Sequence, residues 1–510
     1  PPALAPRPAR VLLLATVLVV AVCGFVYELQ IVALGTYLFG NSVFQVSIVL
    51  AAFVSAMGLG SLAAKPLLRR PVAAFALVEA AVALVGGLSA MALYAAFAWA
   101  DLYQPAMIVT ASAIGLLVGC EIPLLLSLMQ RVRPRDAGVS VADLLAADYL
   151  GAVVAGIGFP FVLLPLLGQI QGAIAVGALN ALAGLAVVWL MGGRARARLA
   201  AAPLAVLALL AAGAAASGRF EVTARQRLFD DPIVHAERSR YQEIVLTERL
   251  GGGDLRLFLN GDLQFSSADE HRYHEALVHP AMAGPHARVL VLGGGDGLAM
   301  REVLRYPGVE RAVEVELDPA MIALARRDPR LARLNRGALR DRRVEVVTAD
   351  AFAWLRRQSE RFDVIVADFP DPDDAATAKL YSVEMYAGLR RRALAPGGRI
   401  VVQAGSPFFA REAFWGVERS VAAAGLATRP YHVDVPSFGD WGFVLAAAGS
   451  GGTPGLALRP PAGARLRFLT AAVLAGAAAF PADAGPLKVA PNTLNRPRLL
   501  DYERRAYRDY

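Results

Sequence analysis

Charge is distributed along this chain in a way that leaves few folds open to it. The first 218 residues carry 11 Lys+Arg and 7 Asp+Glu and the remainder carry 40 and 36, so charge density changes abruptly near Ser217. With 510 residues there is room for two or three domains, and a mean hydropathy of +0.47 is too high for a purely soluble protein. The first part reads as a multi-pass α-helical membrane domain and the second as a soluble one.

A helix needs about 20 apolar residues to span a bilayer. Such runs fall near 11–36, 43–64, 72–100, 105–129, 143–167, 170–191 and 200–217, seven in all, the last short and alanine-rich. The first is too long, and too closely followed by further apolar sequence, to be a cleaved signal peptide. Basic residues (Arg7 and Arg10; Lys65, Arg69 and Arg70; Arg131, Arg133 and Arg135; Arg194, Arg196 and Arg198) alternate with loops that have none. The positive-inside rule then puts the N-terminus in the cytoplasm of a cell-membrane protein. The side of the soluble part depends on whether the seventh segment crosses. Glu28, Glu79, Glu121, Asp143 and Asp148 lie in or beside the spans, either as interhelical hydrogen-bonding groups or as a cation site. Gly58 and Gly60, and Gly151, Gly156 and Gly158, have the spacing of close helix packing. Two cysteines, Cys23 and Cys120, both in apolar runs, support neither a disulfide framework nor a thiolate metal site. The net charge of +8 divides equally between the two parts, which leaves no basic footprint for nucleic acid.

In the soluble part, VLVLGGGDGLAMREVL, Val289 to Leu304, reads as strand, tight turn and helix. Gly293, Gly294, Gly295 and Gly297 allow a sharp turn and close approach to a ligand, as in nucleotide sites. A second strand, Ala312 to Leu317, brings Glu316 and Asp318 about 20 residues past the glycines, where an acid can take both hydroxyls of a ribose. A third, Val344 to Val347, ends at Asp350, and a fourth, Phe362 to Ala367, at Asp368. Four successive strands therefore deliver acids to the carboxyl edge, where ligands of open α/β sheets bind.

Upstream, Pro232 to Phe265 alternates as hairpins around the turn Gly251 to Asp254, and Asp269 to Met282 has helical spacing. The spacing of His271, His274 and His279 fits surface or hydrogen-bonding histidines better than a metal site, and no metal is expected. Downstream, the loop Asp368 to Pro372 holds two acids able to bind an amine and accept its proton. Then follow a helix, the turn Ala395 to Gly398, the strand RIVVQAG, a helix Arg411 to Ala424, and two strands around YHVDV and WGFVLAA. The run Leu466 to Phe480 is too short to span and is expected as a packed helix. The domain expectation is thus 1–218 transmembrane, 219–282 small β-hairpin domain, 283–485 doubly wound Rossmann-like sheet of methyltransferase type, and 486–510 tail.

SRYQEIVL, LNGDLQF, DEHRYHE, VLVLGGGDGLAMREVL, VEVELD, DAF and DVIVADFPDP, in that order, closely resemble the spermidine synthases, the polyamine aminopropyltransferases. The resemblance covers about Arg238 to Phe480, and a membrane half before it looks like the bacterial membrane-integrated branch. It implies transfer of the aminopropyl group of decarboxylated S-adenosylmethionine to putrescine or a related polyamine, with release of methylthioadenosine and no resident cofactor. By motif match, Gln242, Gln264, Asp296, Glu316 and Asp350 would hold the nucleoside, Glu316 at the ribose, Asp350 at the adenine amine and Asp296 at the aminopropyl amine. Tyr273 and His274 would face the amine, Asp368 would accept its proton and Asp371 would bind an ammonium group. The expected partners are these small molecules, the lipid bilayer and a second copy in a homodimer.

The sequence departs from that pattern in places. Phe369 and Pro370 stand where small hydroxyl residues are usual, Asp373-Asp374-Ala375-Ala376 replaces a glycine-proline pair, and Phe438 replaces an aromatic hydroxyl. Each changes the expected amine pocket. Two other functions fit the sequence less well: an S-adenosylmethionine-dependent methyltransferase, and a polyamine transporter with a fused synthase-like domain.

Overall fold

The structure, a computed structural model, describes residues 6–39, 43–100, 102–132, 137–448 and 452–506. Arg133 and Arg135 of the expected basic loops lie outside the described residues. The chain forms two compact units, Pro1–Asp230 and Asp231–Tyr510.

The first unit consists of α1 (Pro6–Phe39), α2 (Val43–Ala63), α3 (Pro71–Ala95), α4 (Tyr103–Val132), α5 (Ala137–Gly158), α6 (Leu164–Met191) and α7 (Arg196–Arg227). Six helical stretches among the described residues are long and apolar enough to cross a membrane. One of them, Val141–Met191, runs 51 residues and joins the fifth and sixth expected spans through a π-helical turn at Phe159–Leu163. Within it Gly168 has φ +68°, a left-handed conformation that breaks the helix and suits only glycine well. The last expected span is not short: α7 extends it to 32 residues and carries the boundary to Asp230 rather than 218.

Some buried polar groups of this unit pair across helices. Asn180 Nδ2 donates to Glu79 Oε2 at 2.6 Å, and Gln30 Nε2 to the Gln169 carbonyl at 2.8 Å. Glu79 and Glu121 are buried, whereas Glu28, Asp143 and Asp148 are half-buried. Of the glycines expected at close contacts, Gly60 lies against the Leu116 carbonyl and Gly151 against Ala21, while Gly58, Gly156 and Gly158 face open space.

The second unit opens with an antiparallel meander, β1 (Ile233–Arg238), β2 (Glu243–Glu248), β3 (Leu255–Leu259) and β4 (Asp262–Ser266), followed by α8 (Glu270–Val278). A seven-stranded sheet follows: β5 (Arg288–Gly293), β6 (Arg311–Glu316), β7 (Val344–Thr348), β8 (Phe362–Asp368), β9 (Leu394–Gln403), β10 (Ala427–Val435) and β11 (Gly439–Ala447). Its order is β10-β11-β9-β8-β5-β6-β7, with β11 antiparallel to both of its neighbours and every other pairing parallel. The central strands are apolar on both faces because helices cover both, as parallel sheets require. β5 leads through the glycine turn into α9 (Leu298–Val303).

Ile244, Leu246, Leu257 and Phe265 of the meander share one hydrophobic core with Val289, Val291 and Val366 of the large sheet, so 219–282 and 283–485 are not separate domains. The expected turn Ala395 to Gly398 is an irregularity within β9, where the register against β8 shifts. Leu466 to Phe480 is not one helix. Glu275 accepts the backbone N–H groups of Arg467, Phe468 and Leu469, which keeps that stretch out of a helix, and only Ala471–Gly476 is helical, capped by Thr470. The expected tail contains the helix Arg498–Ala506, which buries Leu499 and Tyr502 against Gly416.

Candidate active site

The carboxyl ends of β5, β6 and β8 meet at the glycine turn. A β-carbon at Gly293 would collide with the Asp368 carbonyl oxygen, and one at Gly295 would lie 2.8 Å from Glu316 Cγ. Gly293, Gly294 and Gly297 also have φ between +68° and +80°. Glycine here is required by both conformation and contact. The turn's acid, Asp296, is buried and accepts the Leu298 N–H at 2.8 Å.

Around this turn the carboxylates hold protons unusually well. Burial pushes Asp296 up to about 6, partly offset by the charge on His274, and pushes Glu316 up to about 7 against a backbone hydrogen bond from Asp318. Burial also raises Asp368, whose Oδ1 accepts the Tyr273 hydroxyl at 2.6 Å. Asp371 is pushed to about 6 by burial, with Gln403 holding it at 3.0 Å. A cleft in which several acids are crowded and desolvated binds cations, because each arriving positive charge restores the ionised form of a carboxylate.

Tyr273 and His274 sit together on α8, their rings 4.9 Å apart. His274 Nδ1 lies 3.0 Å from Glu270 Oε2, and Arg301 grips Glu270 with two bonds of 2.8 and 2.9 Å. Burial would lower the His274 pKa, but the bond and charge of Glu270 outweigh it and the net shift is upward. Burial likewise opposes ionisation of Glu270, yet His274 and Arg301 bring it down to about 2. His274 is thus held by a fixed charge pair and presents its field to Asp296 and Asp368.

The remaining expected residues surround the same edge less uniformly. Gln242 Nε2 donates to Asp318 Oδ2 at 3.1 Å beside Ser239, which ties the meander to the end of β6. Gln264 on β4 is half-buried, its amide donating to the Asp262 carbonyl. Asp350 N-caps the helix Ala351–Leu355 and pairs with Lys379 at 2.6 Å. Burial opposes its ionisation, but Lys379 and the cap hold it below the ordinary carboxylate range. Phe438 and Tyr273 meet edge to face with ring centroids 6.0 Å apart, so the hydroxyl that Phe438 lacks would have stood beside Tyr273.

Sequence reasoning overlooked Glu270, Arg301, Gln403, Tyr381 and Glu314. Gln403 ends β9 and donates to the Phe369 carbonyl as well as to Asp371, and Tyr381 Oη donates to the Pro370 carbonyl, so the two fix the DFPDP loop. Glu314, two residues before Glu316 on the same face of β6, is fully buried with both oxygens unpartnered. The VEVELD motif displayed it, but alternation alone does not tell a rim acid from a buried one.

Residues 270–451 match the family model described as spermine/spermidine synthase domain. The chain is 54% identical over 99% of its length to polyamine aminopropyltransferase 1 of Streptomyces coelicolor, covering 96% of that protein. It is 47% identical over 96% of its length to the polyamine aminopropyltransferase of Mycobacterium tuberculosis, covering 95% of that one. A crystal structure of spermidine synthase in complex with the transition-state analogue AdoDATO matches 49% of this chain and 85% of its own at 26% identity, with a TM-score of 0.44.

Proposed function

This chain belongs to the polyamine aminopropyltransferases, and from that premise we propose that its acidic cleft joins decarboxylated S-adenosylmethionine to putrescine or a related polyamine. The observation that carries the reading is the Tyr273–Asp368 pair at 2.6 Å, set among buried acids at the carboxyl edge of the sheet.

Both substrates are cations, which matches the charge of the cleft. Glu316 would take the ribose hydroxyls, with Gln242 and Gln264 beside the nucleoside and Asp350 at the adenine amine. Asp296 would hold the donor's ammonium group. Asp371, fixed by Gln403, would hold the distal ammonium of the acceptor, with His274 lining the amine site. An ammonium group has no lone pair, so one proton must pass to Asp368 before attack. The freed nitrogen then displaces sulfur at the aminopropyl carbon: a C–N bond forms, the C–S bond breaks, and its electron pair neutralises the sulfonium as methylthioadenosine. Tyr273 keeps Asp368 oriented. The reaction balances without an oxidant, metal or resident cofactor.

The test is to incubate purified full-length protein with decarboxylated S-adenosylmethionine and a panel of amines, reading products by mass. Methylthioadenosine and an aminopropylated amine are expected. Adenosylhomocysteine formed from S-adenosylmethionine would establish a methyltransferase instead.

Residence in the cell membrane, with the N-terminus cytoplasmic, is supported by six long apolar stretches and by basic residues in the connections α2/α3 and α6/α7 and at the end of α4. If α7 crosses, the catalytic unit lies opposite the N-terminus, and if α7 lies along the interface the two share a side; reporter fusions at both termini decide. The homodimer is tested by mass measurement in detergent.

A further inference from the structure

A cavity of about 390 Å³ lies beside α8, and none of Asp296, Glu316, Asp368 or Asp371 lines it. Its size suits a small ligand. Its walls carry more arginine than their own acids can neutralise. Three of the arginines are paired: Arg301 and Arg305 with Glu302 at 2.9 and 3.0 Å, and Arg330 with Asp328 at 2.6 Å. Four others, Arg333, Arg336, Arg465 and Arg467, have no carboxylate within ion-pair distance among the described residues.

The acids lining the cavity are already committed. Glu270 is gripped by Arg301 and Glu302 by two arginines, while Glu275 is filled by three backbone N–H groups. Asp254 holds Arg256 and Ser266, and Glu248 faces Arg330 at 3.7 Å. Four guanidinium groups from two segments more than 120 residues apart in sequence are thus brought together uncompensated. Like charges gathered at a concave surface repel one another and focus a positive potential, and a multiply charged anion relieves both effects. Guanidinium forks match phosphate oxygens in pairs.

We propose that this cavity binds an anion bearing at least two phosphate groups, and that its occupancy is coupled to the amine end of the catalytic cleft. The link is Arg301, which lines the cavity and grips Glu270, whose Oε2 also meets His274. An anion drawing on Arg301 changes the charge balance at Glu270 and so the hold on His274. The coupling, though not the site, rests on the aminopropyl transfer proposed above. Such phosphates are found both on soluble polyphosphates and on anionic lipid headgroups.

Calorimetry on the full-length protein in neutral detergent, with inorganic tripolyphosphate as probe, tests the site. Saturable binding is expected, weakened about tenfold or more in Arg333→Gln/Arg336→Gln and in Arg465→Gln/Arg467→Gln, whose exposed side chains leave the core untouched. Absence of saturable binding, or the parent's affinity retained in both double variants, overturns the site. Repeating the titration in bilayer discs with and without an anionic lipid bearing two phosphates assigns the source: competition by the lipid supports a headgroup, and unchanged binding supports a soluble anion. For the coupling, saturating tripolyphosphate should shift KM for the amine in the parent protein and not in the double variants, which also control for amine bound by the probe in solution. An unchanged KM overturns the coupling alone. An enzyme that forms no methylthioadenosine refutes the proposed function, while calorimetry still decides the site.

Discussion

In the proposed mechanism, Asp368 is the residue on which turnover depends most directly. Asp368→Asn preserves its shape and its contact with Tyr273 but removes the proton acceptor, so turnover should fall about 10²-fold or more while methylthioadenosine affinity stays near that of the parent. Turnover within threefold of the parent would remove Asp368 from its role. The pH dependence follows from the same environment. Burial raises Asp368 and sets Asp296 and Asp371 near 6 and Glu316 near 7, and the proposed mechanism uses each in its ionised form. Below these values the acids are neutral, so kcat/KM should climb as pH rises through about 6–7 and level off above; an acid limb near 4 would contradict it. At the ribose, Glu316→Gln exchanges a carboxylate acceptor for an amide and should weaken methylthioadenosine by about 1.5–3 kcal/mol, readable by calorimetry. Glu314 tests the cost of burial. With no partner, it is pushed well above the carboxylate range by burial and stays neutral in the fold, whereas the unfolded chain ionises it near 4.3. Its contribution to stability is complete below that pH and is lost as pH rises toward the folded value. Glu314→Gln lacks this loss, so its melting temperature should gain on that of the parent between pH 5 and 8; a constant difference would show that Glu314 ionises in place.

At the scale of elements, the parallel strands were legible to within a residue or two, because buried strands write continuous apolar runs and the acids mark their ends. β8 runs one residue past the expected Ala367 to Asp368, and β6 stops at Glu316, one residue short of the expected Leu317. What sequence could not show were side chains meeting across the fold. Glu270 and Arg301 are 31 positions apart and Gln403 and Asp371 are 32 apart, and nothing in either local pattern announces the partner. The stretch Leu466 to Phe480 misled for a related reason: its composition is helical, but Glu275 on α8 claims three of its N–H groups. The helix Arg498–Ala506 was hidden by its brevity, since nine residues carry too few apolar positions for a clear period. It is nevertheless part of the core. Leu499 is fully buried against Gly416, and Leu499→Ala should cost about 2–5 kcal/mol by denaturant unfolding. A cost below about 0.5 kcal/mol would mean the helix is dispensable.

On the scale of the whole molecule, the two units divide the chemistry unevenly. Every residue proposed to hold substrate or proton, from Gln242 to Asp371, comes from Asp231–Tyr510. The helical unit keeps its own polar interior, with Glu79 held by Asn180 and Gln30 by Gln169. Glu79 and Glu121 are buried and Glu28 and Asp148 half-buried, and Glu121 lies within electrostatic reach of both Glu79 and Asp148. Pairing of Glu79 with a neighbouring helix is what an interhelical hydrogen-bonding role requires, and in an apolar medium an unpaired carboxylate there would be costly. If the helices serve residence in the membrane and not catalysis, residues 231–510 expressed alone should fold as a unit. They should bind methylthioadenosine with the affinity of the full chain and turn over within about tenfold of it, a margin of roughly 1.4 kcal/mol. The measurement is a side-by-side comparison of kcat, KM and methylthioadenosine affinity. Retained nucleoside affinity with turnover lost beyond that margin would show that the helical unit takes part in catalysis, and would make Glu79→Gln and Glu121→Gln in the full chain the next variants to assay.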